Sequence, residues 1–359
     1  MTSSYHPDFA VHPGEHLDEL LETSGMTQAE LAHRLGVHKK TVNEIVKGKA
    51  SITSDIALRL SKVFHYPAHL WNNMQRNFDE TAARLAEQKR MEAHLDWLKQ
   101  APVKEMIQRQ WIQALWDPLM QLDEVLRFFV IASPDQWQTV WQTHQVAYRQ
   151  SQRFQPCALA LSAWLRKGEV KALSIACSRF DRKGFLRVLQ IARGLTREDP
   201  ECFVPQLTEL CSRVGVALVF IPDLPKTGVS GCTRWLGSKA VIQLSLRYKS
   251  NDQLWFTFFH EAGHILKHGK KEVFLEAKGL DGEKEEEANS FARDHLIPPV
   301  KYRQFLELWD GRSLDSITVF ANEIGIAPGI AVGRLQFDKR LQNSHGNKLK
   351  VFYEWKIGV

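Results

Sequence analysis

Apolar residues in the first part of the chain recur with the period of an α-helix, and glycines punctuate the repeats. Leu17, Leu20 and Leu21 lie at i, i+3 and i+4 and stop at Ser24-Gly25. Thr27, with Glu30 three residues on, has the form of a capping box. Ala29, Leu31, Ala32 and Leu35 then supply one face of a second short helix, which Gly36 breaks. Val42, Ile45 and Val46 point inward on a third helix over 38–46, with Lys39, Lys40, Thr41, Asn43 and Glu44 outward and Lys47-Gly48-Lys49 as the stop. Repeats over 53–64 (Ile56, Leu60, Val63) and 69–78 (Leu70, Trp71, Met74) complete a five-helix unit.

Beyond it the pattern changes. Over 80–99 the apolar positions thin to Leu85, Leu95 and Leu98 among Ala, Glu, Arg, Lys and Gln, which predicts a long, mostly exposed helix ended by Ala101-Pro102. Helical periods follow over 103–114, 122–132, 134–152, 156–167, 170–177 and 181–193. Trp111, Trp116, Trp137, Trp141 and Trp164 fall among them. With Arg149, Arg153, Arg166, Arg179 and Arg182 they would suit stacking on single-stranded nucleic acid, but helical spacing and the usual burial of tryptophan favour the core of an all-helical region.

The last part mixes periods. A helix over 207–214 precedes a β-branched run over 216–221 that Pro222 ends, then a turn-rich stretch over 223–232 with Gly228, Ser230 and Gly231, then a second strand over 240–246. Such a sheet could offer its edge to an extended peptide. Trp255, Phe256, Phe258, Phe259, Ile265 and Leu266 predict a largely buried helix. An acidic helix over 283–296 is stopped by Pro298-Pro299. The segment 317–337 is weakly like a second helix-turn-helix but has no basic face, so it reads as a packing module, and 351–359 suggests a closing strand. The expected fold is mainly α with a small β-sheet (α+β): a five-helix domain over 1–79, a helical linking domain over 80–205 and a catalytic domain over 206–359.

Composition and charge narrow the chemistry. The chain has 359 residues, 44% of them hydrophobic and 25% charged, which fits two or three globular domains and excludes disordered and collagen-like classes. Five cysteines form no C-x-x-C pair, as expected of reduced thiols, and no leader or bilayer-length apolar run is present, so a cytoplasmic protein without membrane contact is expected. A net charge of +6 permits contact with nucleic acid. Residues 1–79 are nearly neutral, yet Lys39, Lys40, Lys47 and Lys49 cluster on and just after the third helix. Helix, glycine turn, helix, with basic residues on the second member, is the geometry that enters a major groove and is positioned by phosphates.

The buried helix carries the sharpest signal. His260, Glu261 and His264 spell H-E-x-x-H, and positions i and i+4 share a helix face, so both imidazoles can hold one zinc ion with Glu261 beside them as general base. A catalytic zinc takes three protein ligands and keeps one position open. Glu285, Glu286 and Glu287 compete for the third place. Glu285 shares a face with Ala288, Asn289 and Ala292 and is the choice, with Glu287 next. His268 reads as a supporting or surface histidine, Cys232 as a structural thiol, and Gly263 as a point of close packing.

Two stretches resemble known families. TQAELAHRLGVHKKTVNEIVKGKASIT, followed by IALRLSKVF and WNNMQ, is similar to the HigA-type antitoxin branch of the XRE/Cro-like helix-turn-helix family. That resemblance implies that Gln28 helps hold the DNA backbone, that Lys39, Lys40, Thr41, Asn43 and Glu44 face bases or phosphates, and that a homodimer binds a palindromic double-stranded operator. FTFFHEAGHILKH and EEEANSFARDHLIP, preceded by SGCTRWLGSKAVIQLS, resemble the ImmA/IrrE family of zinc metallopeptidases over about 207–340. By that resemblance His260, His264 and Glu285 bind one zinc per chain, Glu261 is the base, and Asn289 and His268 support the ligands. His295 departs from the family's apolar habit. The fusion implies a DNA-binding regulator whose peptidase domain cleaves a partner repressor or antitoxin, or itself. The alternative is a non-proteolytic antitoxin and autorepressor that binds operator and toxin.

Overall fold

The computed structural model describes residues 7–146, 157–269, 274–277 and 282–355. The chain forms two compact units, Met1–Asp96 and Trp97–Val359.

The first unit contains helices Pro13–Ser24, Gln28–Leu35, Lys39–Val46, Ser54–Phe64 and Ala68–Glu92. Thr27 Oγ1 accepts the Glu30 N–H at 3.2 Å and starts the second helix, while the Glu30 carboxylate pairs with Arg34 one turn on at 2.7 Å. Gly36, at φ +67°, ends that helix in the left-handed region that costs glycine least. Leu17, Leu31, Leu35, Val42, Ile45, Leu60 and Trp71 form the core. The 79/80 boundary falls inside the last helix, because nothing between Phe78 and Thr81 is a helix breaker. Gln75, buried on it, accepts the Ile52 N–H at 2.8 Å and donates to Asp79 at 2.9 Å, tying the loop after the third helix to the fifth.

Gly14 is the point of closest approach in this unit. A Cβ there would sit 1.9 Å from the Ile45 carbonyl oxygen, which belongs to backbone at the end of the third helix and cannot step aside. Gly14→Ala is therefore expected to cost about 1–3 kcal/mol of this unit's stability, measured by urea denaturation of the full chain. An unchanged midpoint would show that the first and third helices part more easily than this contact implies.

The second unit is built on a four-stranded sheet of order β1-β3-β2-β4, with β1 Val216–Phe220, β2 Val229–Leu236, β3 Lys239–Leu244 and β4 Phe274–Ala277. β1 and β3 are parallel; β2 pairs antiparallel with both β3 and β4. Two strands were legible in the sequence, and β2 and β4 are additions. Gly228, Ser230 and Gly231 made the start of β2 look like a turn.

Side chains on the two faces of the sheet enter different cores. Val216, Leu218, Ala240 and Ile242 pack with Trp255, Phe258 and Phe259 of helix Asn251–Lys267. Ala217, Val219, Val241 and Cys232 pack with Leu161, Trp164 and Leu165 of helix Ala158–Ser174. The region expected to form a separate linking domain is thus divided. Residues up to Asp96 belong to the first unit, the helices up to Ser174 share the core on the second face of the sheet, and Phe185, Val188 and Leu189 of helix Arg182–Leu195 join the core on the first face. Trp137, Trp141 and Trp164 are buried in that core, whereas Trp116 is fully exposed. The expected break at Lys167-Gly168 does not occur. Helix Ala158–Ser174 runs through it, and the missing Cβ makes room for Gln243 of β3, whose Oε1 would lie 1.8 Å from such an atom. Gln243 Nε2 in turn donates to the Trp164 carbonyl at 2.7 Å.

Helices Leu314–Glu323 and Pro328–Phe337 bury Ile317, Phe320, Ile330 and Leu335 in the core that holds helix Asn251–Lys267, in keeping with a packing module. Among the described residues no single helix is long and apolar enough to cross a membrane. In place of a closing strand there is one isolated bridge, Ser250 to Phe352, and 356–359 lie outside the described residues. The end of the helix expected over 134–152 lies outside them too; the described part is Pro134–Val146.

Candidate metal centre

Helix Asn251–Lys267 runs across the sheet, and its middle turns carry His260, Glu261 and His264, each no more than 1% exposed. Helix Glu283–Leu296 lies against it. The two approach closely because Gly263 faces Ala288: a Cβ at 263 would lie 3.2 Å from Ala288 Cα and 3.2 Å from the Phe291 ring. That approach brings Glu285 over the histidines. Its carboxylate oxygens lie 3.2 Å from His260 Nε2 and 3.5 Å from His264 Nε2, and the two Nε2 atoms are 3.0 Å apart. Ligands about 2.1 Å from a tetrahedral zinc lie roughly 3.4 Å from one another, so these separations suit an ion of that size. Among the described residues this trio is the one cluster of His, Cys, Asp and Glu with donor atoms all within 4.8 Å of each other.

Proton positions follow from the outer partners. His260 Nδ1 lies 3.0 Å from Asn289 Oδ1, an oxygen that only accepts, so Nδ1 carries the hydrogen. His264 Nδ1 lies 2.9 Å from His268 Nδ1, and His268 Nε2 lies 3.0 Å from Glu287 Oε2. The exposed Glu287 carboxylate accepts from His268 Nε2, which leaves His268 Nδ1 as acceptor for the His264 Nδ1–H. Both Nε2 atoms then turn lone pairs towards the Glu285 carboxylate. Three electron-pair donors converge, an arrangement that a divalent cation among them would satisfy.

Charge states agree with this arrangement. Burial drives the His264 imidazole down to about 4, so it is neutral at physiological pH. Burial works against charge on Glu285, and only rings carrying Nε2–H would lower its carboxyl; with the His260 and His264 lone pairs turned inward, a cation bound among the three would be what favours the ionised carboxylate. Neutral imidazole and ionised carboxylate are the ligand forms.

Glu261 packs against β2. A Cβ at Gly231 would lie 2.6 Å from Glu261 Oε1 and 2.6 Å from Thr257 Cγ2, and Thr233 Oγ1 donates to the Glu261 carbonyl at 3.0 Å. Gly231 and Thr233 are thus part of the site's surroundings and were missed, because the stretch before the motif looked like a turn. β4 takes the sheet edge beside β2, and its Phe274 ring stacks on His264 with centroids 4.1 Å apart. Cys232 points to the other face of the sheet, where burial pushes its thiol up. Glu286 turns outward to Ser290 and Arg293. His295 stacks on Phe291 at 3.8 Å and hydrogen-bonds the Phe291 carbonyl, which accommodates the departure at this position.

In the first unit, Lys39 and Lys40 are exposed and Thr41, Asn43 and Glu44 half-buried on helix Lys39–Val46. Asn43 Nδ2 donates to Gln28 Oε1 at 3.0 Å, and Lys40 lies 3.6 Å from Glu44. Gln28 and Asn43 therefore act as one hydrogen-bonded pair across the turn.

Comparison with known proteins matches residues 17–71 to a helix-turn-helix family model and residues 211–335 to the IrrE N-terminal-like domain of the M78 peptidases. Over its first part the chain is 42% identical to virulence-associated protein I of Dichelobacter nodosus, across 80 residues that make up 22% of this chain and 71% of that protein. The chain belongs to the helix-turn-helix family and carries an IrrE-like peptidase domain. Antitoxin HigA-1 of Vibrio cholerae is 33% identical over 61 residues, 17% of this chain and 57% of the antitoxin. A solved structure of the Pseudomonas aeruginosa antitoxin HigA with the higBA promoter shares 37% identity, covering 24% of this chain and 94% of that one, with a TM-score of 0.23. All three likenesses concern the helix-turn-helix part, and the IrrE-like domain rests on its own family match.

Proposed function

We propose that this helix-turn-helix protein is a DNA-binding regulator whose IrrE-like domain is a zinc-dependent peptidase of narrow specificity, acting on a partner repressor or antitoxin or on itself. The observation that carries the reading is the convergence of His260, His264 and Glu285 beside a buried Glu261. A structural zinc site has no need of that acid. The sequence likeness of the first unit to helix-turn-helix proteins, an antitoxin among them, supports operator binding through Lys39, Lys40, Thr41, Asn43 and Glu44 with Gln28 steadying Asn43. A homodimer on a palindrome would follow from that mode of binding.

His260, His264 and Glu285 would hold the zinc. Bound there, it supplies a Lewis acid for the scissile carbonyl and acidifies a water. Glu261 takes the proton from the attacking water and returns it to the departing amine as the C–N bond breaks. Asn289, and His268 with Glu287, keep the two ligand imidazoles in the tautomer that presents Nε2.

The experiment is incubation of the zinc-loaded chain with the protein product of the neighbouring gene, with and without operator DNA. Wild type should cleave it, and Glu261→Gln should cleave about 10²–10⁴-fold more slowly while keeping its zinc. Equal rates would refute the mechanism. Absence of cleavage by wild type, with tight binding of a small toxin, would favour the non-proteolytic antitoxin suggested by the HigA relatives.

The support of His264 has its own test. Glu287 is half-exposed, so Glu287→Ala should leave the fold intact yet weaken zinc affinity about ten-fold or more, read by competition with a chromophoric chelator. Unaltered affinity would remove Glu287 and His268 from the support of His264.

A further inference from the structure

Next to the trio of donors the groove between the two site helices widens into a cavity of about 200 Å³. Its walls include Gln253 and Phe256 from the motif helix, Asn289 and Leu296 from the acidic helix, Ile297 after it, and Ile330 from helix Pro328–Phe337. Asn289 is the residue that hydrogen-bonds His260, and the Phe256 ring lies 6.2 Å from the His260 ring, so the cavity begins where the donor cluster ends. Phe256 precedes His260 by one turn, about 6 Å along the axis. An extended peptide advances about 3.3 Å per residue, so a side chain one or two residues from a carbonyl held at the donors would reach this cavity.

The lining decides what kind of side chain. Each charged residue at the cavity already has an internal partner: Asp252 pairs with Lys350 at 2.7 Å, Arg334 with Asp338 at 2.7 Å, and Arg293 with Glu286. Beside the amides of Gln253 and Asn289 and the Asp252 Oδ1, which accepts no hydrogen bond among the described residues, what stays available is the apolar surface of Phe256, Leu296, Ile297 and Ile330. An apolar cavity of about 150 Å³ is enough to hold benzene. We infer that this cavity is a specificity pocket for one bulky apolar side chain, of the leucine or phenylalanine class, flanking the scissile bond of the peptide substrate. The inference rests on the peptidase reading for its biological meaning, and on the cavity alone for its chemistry.

The test therefore measures binding without turnover. The full chain is titrated with N-acetyl-leucine amide, N-acetyl-phenylalanine amide, N-acetyl-glycine amide and N-acetyl-aspartate amide, followed by saturation-transfer NMR. The leucine and phenylalanine amides should bind about ten-fold or more tightly than the glycine amide, as burial of one such side chain implies, and the aspartate amide no better than glycine. Gln253 is exposed at the mouth of the cavity, so Gln253→Trp should fill it without disturbing the core and abolish the preference, while circular dichroism stays unchanged. Ile330→Ala, which enlarges the floor, should shift the preference towards phenylalanine. A flat series, or a leucine preference that survives Gln253→Trp, would overturn the pocket. Either result is independent of Glu261→Gln, so failure of the pocket and failure of the peptidase mechanism are distinguishable.

Discussion

Replacing Glu285 by Ala is expected to abolish high-affinity zinc binding by the full chain, from about one ion per chain to none retained through gel filtration, and with it any cleavage. The reason lies in the donor count. Two neutral imidazoles leave a divalent cation without an anionic ligand, and a catalytic site needs three protein donors to keep its ion. The expected loss in zinc affinity is at least about 10³-fold, beyond the 10–100-fold that supporting residues command. Elemental analysis and chelator competition measure it. Glu287→Ala serves as the internal comparison, since it should weaken zinc only modestly. If Glu285→Ala and Glu287→Ala lost zinc equally, the third ligand would not be Glu285.

Gly231→Val should be almost as damaging, though 231 carries no donor. The first atom of any side chain at 231 would fall 2.6 Å from both the Glu261 carboxylate and Thr257. Both lie on a helix packed between the sheet and the acidic helix, so neither has room to retreat. Overpacking in such a place costs about 1–3 kcal/mol, and displacement of Glu261 removes the proton acceptor. The variant should keep its zinc and show cleavage reduced about 10²-fold or more, with a lowered denaturation midpoint. Wild-type cleavage by Gly231→Val would mean that Glu261 works from another position than the one beside β2.

Much of the candidate site was legible because its spacing is local. Positions i and i+4 share a face on any helix, so His260 and His264 needed no tertiary information. Glu285 was one of three adjacent acids, and the face it shares with Ala288 and Asn289 was enough to prefer it. Gly231 and Thr233 were not legible. They act through a strand whose glycine and serine read as turn residues, and only the passage of the motif helix over that strand explains the glycine. Glu287 was considered as a metal ligand, whereas its carboxylate meets His268. That contact depends on how two helices align, which local periodicity does not encode.

The same division runs through the fold. Local pattern alone set the first four amino-terminal helices, the Thr27 cap and Gly36 stop, the buried motif helix and the acidic helix, because caps, breakers and helical period act over a few residues. Tertiary structure decided three things. It made β2 and β4 into strands, since strand pairing depends on partners distant in sequence. It placed the tryptophan-bearing helices on the second face of the sheet, where a half-covered sheet would otherwise expose Val219 and Val241 to water. And it turned H-E-x-x-H from a helix-face pattern into a three-donor cluster, because only the close approach at Gly263 and Ala288 carries Glu285 to the two imidazoles.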